Sequence, residues 1–165
     1  MITDTDLSSH SDIRGFGCVQ VQPYPVTLTS IGLYFAFKMV NHETVDGYEA
    51  FTAFVETIDV TKGPYFILYT GSIIDGKSWC PDCVEADPVI ESALETAPEN
   101  ANFVTVFVGD RTTWKDPNCS FRKDPKTKLM VIPTLVRWKG PQKLEGEQCA
   151  KKELVEMVFI DFEDD

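Results

Sequence analysis

Positive charge and histidine are both scarce in this sequence of 165 residues. Fifteen Lys and Arg residues stand against 26 Asp and Glu residues, which gives a formal net charge of −11 at pH 7. A chain this acidic repels phosphate backbones and anionic membrane surfaces, so we expect no nucleic-acid or membrane partner. Two histidines, His10 and His42, leave little material for a histidine-based catalytic triad or a histidine-rich metal site.

Long hydrophobic runs and regularly paired cysteines are missing as well. The apolar stretch at 31–37 is far shorter than the roughly 20 residues that a membrane-spanning helix needs. Five cysteines form an odd set with one closely spaced pair, which does not resemble a secreted disulfide scaffold. With 43% hydrophobic and 12% aromatic residues, the chain has enough apolar material for the core of one globular domain.

The first forty residues differ from the rest. No charged residue occurs between Arg14 and Lys38, and the stretch is rich in Gln, Pro and Thr. We expect 1–40 to be a flexible extension; the alternatives are an ordered element packed on the domain and a targeting segment. The acidic residues of 161–165 are interpreted as a solvated tail. The predicted domain therefore covers 41–160.

Hydrophobic periodicity predicts the elements of this domain. Asp46 and Glu49 resemble a capping box in front of an amphipathic helix, which we expect to end at 62–64. The elements that follow are strand 65–69, helix 81–97 with a kink at Pro88, strand 102–108, a polar loop around 114–118, strand 135–138, an edge strand around Lys143 and Leu144, and helix 151–159.

This order of elements indicates the fold class. Its first half is typical of a parallel βαβ unit, and its second half of an antiparallel hairpin closed by a helix. Both halves are satisfied by an α/β fold in which helices flank a central mixed β-sheet on both faces.

The spacing Cys80-x-x-Cys83 between a strand and a helix is the strongest chemical signal in the chain. Pro81 suits the first helical position, which puts the Cys80 sulfur at the helix N-terminus, where free N–H groups favour a thiolate. A thiolate there can attack a disulfide, and the second sulfur can then resolve the mixed disulfide. We predict Cys80 as the nucleophile and Cys83 as the resolving thiol. The alternatives are half of a zinc site, for which a second pair of ligands is missing, an inert disulfide, and a binding fold without redox activity.

Charged and aromatic residues flank the pair. Asp82 opposes formation of the thiolate and destabilises the reduced form, whereas Lys77 acts in the opposite direction. Because Asp82 is the nearer charge, we predict a reductant. Trp79 and Trp114 are interpreted either as apolar walls of the site or as ordinary aromatics at the edge of the core.

Several blocks of the sequence resemble a known family. Trp-Cys-x-x-Cys, the helix proline Pro88 and Ile132-Pro133-Thr134 before a strand are typical of the thioredoxin superfamily. More narrowly, the chain resembles the thioredoxin domain-containing protein 17 family from about Asn41 to Phe159. The blocks that carry this resemblance are Gly76-Lys77-Ser78-Trp79-Cys80-Pro81-Asp82-Cys83, Trp114-Lys115-Asp116-Pro117-Asn118, Phe121-Arg122-Lys123, Pro133-Thr134-Leu135, Pro141-Gln142-Lys143-Leu144 and Leu154-Val155-Glu156-Met157.

The resemblance implies a thioredoxin-like fold and a thiol–disulfide oxidoreductase that reduces cystine and related sulfur adducts. Electrons are expected from NADPH through thioredoxin reductase, with no bound cofactor and no metal. A cytoplasmic monomer is implied, with signalling or cytoskeletal proteins as further expected partners. Pro133 is expected to be cis and to face the sulfurs; otherwise it is simply a proline at the start of a strand. A thiol-dependent peroxidase and a redox-switched interaction module remain as alternative functions.

Two departures from thioredoxin stand out. The strand before the active site carries no acid that could accept the proton of Cys83, which leaves water, Asp82 or Glu85. The loop 71–77 is longer than the corresponding turn, and we expect it to screen out large substrates. Cys18 is interpreted as a free thiol. Cys119 and Cys149 are interpreted as passive thiols, with a second redox pair as the alternative.

Overall fold

The computed structural model describes residues 40–160. The predicted extension, apart from its last residue, and the predicted tail lie outside the described residues. The elements in chain order are β1 (Asn41–Asp46), α1 (Tyr48–Thr57), β2 (Tyr65–Thr70), β3 (Ile73–Ile74), β4 (Lys77–Ser78), α2 (Pro81–Ala93), β5 (Asn102–Phe107), α3 (Arg111–Lys115), α4 (Ser120–Lys123), β6 (Thr134–Arg137), β7 (Lys143–Glu145) and α5 (Lys152–Phe159), with short 3₁₀ turns at Val60–Lys62, Leu94–Thr96 and Gly146–Ala150.

Five of the strands form one mixed sheet in the order β1-β5-β2-β6-β7. The pairs β1–β5 and β2–β5 are parallel, whereas β2–β6 and β6–β7 are antiparallel. The predicted combination of a parallel βαβ unit and an antiparallel hairpin is confirmed, and β7 is the expected edge strand. This is the α/β architecture of a thioredoxin-like fold.

Helices cover both faces of the sheet because side chains alternate along its strands. On β2, Phe66 and Leu68 pack into an apolar cluster with α2 and α5, whereas Ile67 and Tyr69 pack into a second cluster on the opposite face. The second cluster contains Phe51 of α1 together with aromatic residues of α3 and α4. A central strand buried on both faces explains why its sequence is almost continuously apolar.

The predicted start of the first helix is wrong. Asp46 is the last residue of β1 and lies opposite Phe107, and the next residue, Gly47, donates its N–H to the Phe107 carbonyl at 3.0 Å. Asp46 is thus held in the sheet and cannot cap the helix. α1 begins after Gly47 without a side-chain cap and ends at Thr57, earlier than predicted.

Some elements have no counterpart in the sequence-based prediction. β1 was missed because it is an edge strand in which only Val45 is buried, so no apolar alternation marks it. The expected polar loop contains the short helices α3 and α4, and the loop before the cysteines contains the small β3–β4 hairpin. Within residues 40–160, no helix is long and apolar enough to cross a membrane.

Candidate active site

The two predicted redox cysteines lie at the start of α2. Cys80 is the residue immediately before the helix, and Pro81 occupies its first turn as predicted. Cys80 and Cys83 form a disulfide, with their Cα atoms 5.2 Å apart. The Sγ of Cys80 accepts a hydrogen bond from the Cys83 N–H at 3.2 Å. A backbone N–H and the positive end of the helix dipole therefore both point at the sulfur that we predict to carry the negative charge.

Both sulfurs are almost enclosed. Cys80 and Cys83 each expose only 4% of their surface, and both belong to the apolar cluster that includes Val104 and Val106 of β5. Ile132, far along the chain, belongs to the same cluster and contributes to this enclosure.

Pro133 lies directly before β6, as predicted from the sequence. The Ile132–Pro133 peptide bond is cis, as expected. The carbonyl oxygen of Ile132 is 3.9 Å from the Cys80 Sγ, so this loop borders the predicted nucleophile. The Thr134 hydroxyl donates to the Val131 carbonyl at 2.7 Å and closes the turn that presents the loop.

Trp79 is fixed beside the pair by the carbonyl group of Gly109. The Trp79 Nε1–H donates to this oxygen at 2.9 Å, and the Ser72 N–H donates to the same oxygen at 3.2 Å. A methyl group at Gly71 would lie 2.9 Å from Trp79 Cε2 and 3.0 Å from Cys80 Cβ. The absence of a side chain at Gly71 is thus what lets the β3–β4 region pack closely against the site.

Trp114 belongs to the core next to the site. It exposes 7% of its surface and shares the apolar cluster of the two cysteines, and the Arg122 guanidinium lies 4.9 Å from the centre of its ring. The alternative reading of Trp114 as a core aromatic describes it well, whereas Trp79, which is only partly buried, lies directly at the pair.

The predicted charged residues lie on two different elements near the pair. Asp82, in the first turn of α2, is exposed. Lys77 is in β4 and lines a cavity of about 240 Å³ that also borders Cys83. The cavity is on the α2 side of the sheet and reaches Thr70, the last residue of β2, and Thr105 within β5.

This cavity also reveals an acid that the sequence analysis missed. Asp87 lines the cavity together with Cys83, whereas Asp82 and Glu85, the two acids considered from the sequence, do not. The available signal was helical spacing: residues four apart lie on the same face of a helix, and Asp87 follows Cys83 by four positions. As expected, β2 itself carries no acid.

Cys119 and Cys149 are both buried and free. Burial raises the pKa of the Cys149 thiol to about 11. Its Sγ is 3.7 Å from the Pro133 carbonyl oxygen and 3.6 Å from that of Leu144, distances at which the S–H can donate. A protonated and enclosed thiol of this kind suits a passive role.

Comparison with known proteins agrees with this arrangement. The family model described as "Thioredoxin domain-containing protein 17-like, thioredoxin domain" matches residues 44–161. Thioredoxin domain-containing protein 17 of Mus musculus is 47% identical over 95 residues, which cover 57% of this chain and 76% of that protein. The Danio rerio protein of the same name is 44% identical over 119 residues, covering 71% of this chain and 93% of the relative.

Among solved structures, oxidised thioredoxin O2 of Arabidopsis thaliana aligns with a TM-score of 0.49 at 17% identity, over 73% of this chain and 96% of that one. The assignment rests on the sequence family, whose model spans most of the described domain and includes both cysteines. The chain therefore belongs to the thioredoxin domain-containing protein 17-like family, within the thioredoxin-like proteins.

Proposed function

We propose that this protein is a cytoplasmic thiol–disulfide oxidoreductase that works as a reductant through Cys80 and Cys83. One observation carries the proposal: the Cys80 Sγ stands at the N-terminus of α2 and accepts the Cys83 N–H at 3.2 Å. In the reduced protein, the same N–H and the helix dipole favour the thiolate, which is the nucleophilic form of cysteine.

The reaction proceeds in two displacements. The Cys80 thiolate attacks one sulfur of a disulfide R–S–S–R, which forms a mixed disulfide and releases one R–S⁻. The Cys83 thiol then loses its proton, and its sulfur attacks the Cys80 sulfur. The Cys80–Cys83 disulfide forms, the second R–S⁻ leaves, and both released thiolates take up protons. Two electrons have passed from the protein to the substrate.

The electrons reside in the two cysteines, so no bound cofactor is required. The family resemblance supports NADPH-dependent thioredoxin reductase as the enzyme that returns the protein to its dithiol form. The negative charge of Asp82 beside the pair disfavours the reduced, thiolate-bearing state. This charge supports the direction of transfer, because destabilising the reduced form makes the pair a better electron donor.

The surroundings of the sulfurs support a small disulfide, such as cystine, as the substrate. Cys80 exposes only 4% of its surface, and Trp79 and the Pro133 loop border it. The β3–β4 hairpin stands next to the site and is tied to it through Gly109. A bulky protein substrate must displace such neighbours before a sulfur of its own can approach in line, whereas a small disulfide needs far less room.

A coupled assay tests the proposal. Oxidation of NADPH is followed with thioredoxin reductase, cystine and the full chain. The wild type should consume NADPH in proportion to cystine, Cys80→Ser should be inactive, and Cys83→Ser should accumulate a mixed disulfide with half-cystine, visible by mass spectrometry. Cys119→Ser serves as the control and should retain activity. Absence of NADPH consumption by the wild type, despite binding to other proteins, would instead favour a redox-switched interaction module.

The proposed restriction to small substrates has its own test. Removing residues 72–75, which include the exposed strand β3, should increase the rate of insulin reduction severalfold while changing cystine reduction little. The comparison of the two substrates within one variant controls for general damage to the site. Insulin reduction that stays as slow as before contradicts the screening role of the hairpin.

A further inference from the structure

The proposed second displacement requires a proton acceptor that the established fold does not supply in an obvious place. Cys83 exposes only 4% of its surface and packs in an apolar cluster. Burial in apolar surroundings disfavours the charged thiolate, so a buried resolving thiol needs help to lose its proton. The adjoining strand β2 has the sequence Tyr-Phe-Ile-Leu-Tyr-Thr and carries no acid.

The cavity beside Cys83 connects the buried resolving thiol with exposed charged side chains. Its volume of about 240 Å³ leaves room for water molecules. Thr70 and Thr105 contribute side chains from β2 and β5, on the face of the sheet that α2 covers. Hydroxyl groups can both donate and accept hydrogen bonds, so they can hold water in this space. Asp87 also lines the cavity but is itself exposed, which places it at the opening.

The ionisable side chains bordering this cavity, besides the thiol, are Lys77 and Asp87. On α2, Asp87 follows Cys83 by four residues, and side chains at this spacing are neighbours about 5–6 Å apart between Cβ atoms. Asp82 and Glu85 are exposed on the same helix without lining the cavity. Among the three acids considered, Asp87 is thus the carboxylate that lines the same cavity as the resolving thiol.

We propose that Asp87 is the proton acceptor for Cys83 during resolution of the mixed disulfide. This proposal rests on the dithiol function proposed above. The proton passes from the Cys83 S–H to the Asp87 carboxylate, directly or through one water in the cavity. The resulting thiolate attacks the Cys80 sulfur, and the substrate's second thiolate is released. Asp87 then releases this proton to solvent, so its carboxylate is regenerated for the next turnover. The positive charge of Lys77 at the same cavity stabilises the transient Cys83 thiolate.

The experiment separates the two displacements with 5,5′-dithiobis(2-nitrobenzoate), a small disulfide whose released thiolate is coloured. The reduced full chain, carrying Cys18→Ser throughout to remove a competing thiol, is mixed with an equimolar amount of the reagent in a stopped-flow instrument. The first attack by Cys80 releases one coloured thiolate, and resolution by Cys83 releases the second. Rates of both phases are measured from pH 5.5 to pH 9 for the wild type, Asp87→Asn, Asp87→Glu, Glu85→Gln and Glu91→Gln.

Asp87→Asn should leave the first phase unchanged and slow the second at pH 7 by about tenfold or more, because general-base assistance contributes on the order of 10²-fold or more and water remains as a poorer acceptor. In this variant, the rate of the second phase should also begin to increase at a higher pH than it does in the wild type. Asp87→Glu should restore most of the rate. Glu91→Gln, an exposed acid further along α2, should behave as the wild type.

The assignment is overturned if Asp87→Asn leaves the second phase and its pH dependence unchanged, or if Glu85→Gln slows that phase equally. If Asp87→Asn slows both phases together, this result also contradicts the assignment, because such slowing indicates general damage to the site. Failure of the proposed function looks different. In that case the wild type itself lacks a first phase faster than that of an unstructured thiol, and the assignment of Asp87 falls with it.

Discussion

Cys80 and Cys119 occupy equivalent local positions, since each is the residue before the first turn of an α-helix. They are also equally enclosed, with 4% and 6% of their surface exposed. The difference lies in what each sulfur meets. Cys80 precedes a helix of 13 residues and accepts the N–H of Cys83, whereas Cys119 precedes a helix of 4 residues and its side chain accepts no capping hydrogen bond.

If Cys80 is the nucleophile and Cys119 is passive, as we propose, then neither burial nor a position before a helix is enough to create a reactive thiol. The helix must be long enough for its peptide dipoles to add, and a backbone N–H must point at the sulfur. A second thiol must also lie within reach, as Cys83 does. Cys119 lacks such a partner within residues 40–160, because the other free cysteine there, Cys149, belongs to the apolar cluster on the opposite face of the sheet.

The largest expected effect compares these two sulfurs directly. In the reduced protein at pH 7, iodoacetamide should alkylate Cys80 at least about tenfold faster than Cys119, because a larger fraction of Cys80 is thiolate. Peptide mass spectrometry of samples quenched over time gives both rates in one experiment. Equal rates would remove the basis of the proposed mechanism.

The close packing behind Cys80 provides the next test. Gly71→Ala should lower the free energy of unfolding by about 1–3 kcal/mol, because the added methyl group collides with Trp79 and Cys80. It should also slow alkylation of Cys80 by moving its sulfur away from the helix N-terminus. Denaturant unfolding and alkylation are measured together.

Gly76→Ala is the control for that test. A methyl group at Gly76 meets nothing within 4 Å, although the backbone φ of 81° is unfavourable for alanine. This variant should therefore lose some stability while Cys80 keeps its reactivity. If both variants slow the alkylation equally, close packing at Gly71 is not what positions the sulfur.

Cys149 represents the opposite extreme to Cys80, and its effect should appear only at high pH. Its pKa is raised by burial to about 11, above the ordinary value of 9.0. The unfolded state therefore releases this proton first as the pH rises, so the protonated thiol's contribution to stability is complete below about pH 9 and declines between pH 9 and 11.

Cys149→Ala isolates this titration. The free energy of unfolding of the wild type, relative to that of the variant, should be constant from pH 6 to pH 8 and should fall as the pH approaches 11. Other groups that titrate in this range, such as Tyr69, whose pKa is also raised by burial, are common to both proteins. A constant difference up to pH 11 argues against a protonated, buried Cys149.

The smallest expected effect concerns the charge next to Cys80. Asp82→Asn should move the reduction potential of the pair by about 5–20 mV toward more oxidising values, a modest shift because an exposed charge is screened by solvent. Equilibration with a glutathione buffer measures the potential, and Glu91→Gln serves as a control on the same helix. An unchanged or lower potential contradicts the charge argument.

Most of the sheet could be predicted from the sequence, because β2, β5 and β6 are buried and therefore rich in apolar, β-branched and aromatic residues. The edge strand β1 escaped prediction, since one buried valine leaves no periodic pattern. The apparent capping box at Asp46 led to a wrong prediction of the helix cap, because local sequence does not reveal strand pairing. Local sequence favoured a helix cap, but pairing with β5 holds Asp46 in the sheet.

The sequence by itself determined the chemistry of the pair, because two cysteines separated by two residues at a helix start bring their sulfurs together through local geometry alone. Only the tertiary structure decided what surrounds them. The sheet brings Ile132 to the Cys80 sulfur across 52 positions, and β2, β4 and β5 meet α2 around the cavity that Cys83 shares with Asp87. Such neighbours depend on strand order and register, which are long-range properties that no local spacing encodes.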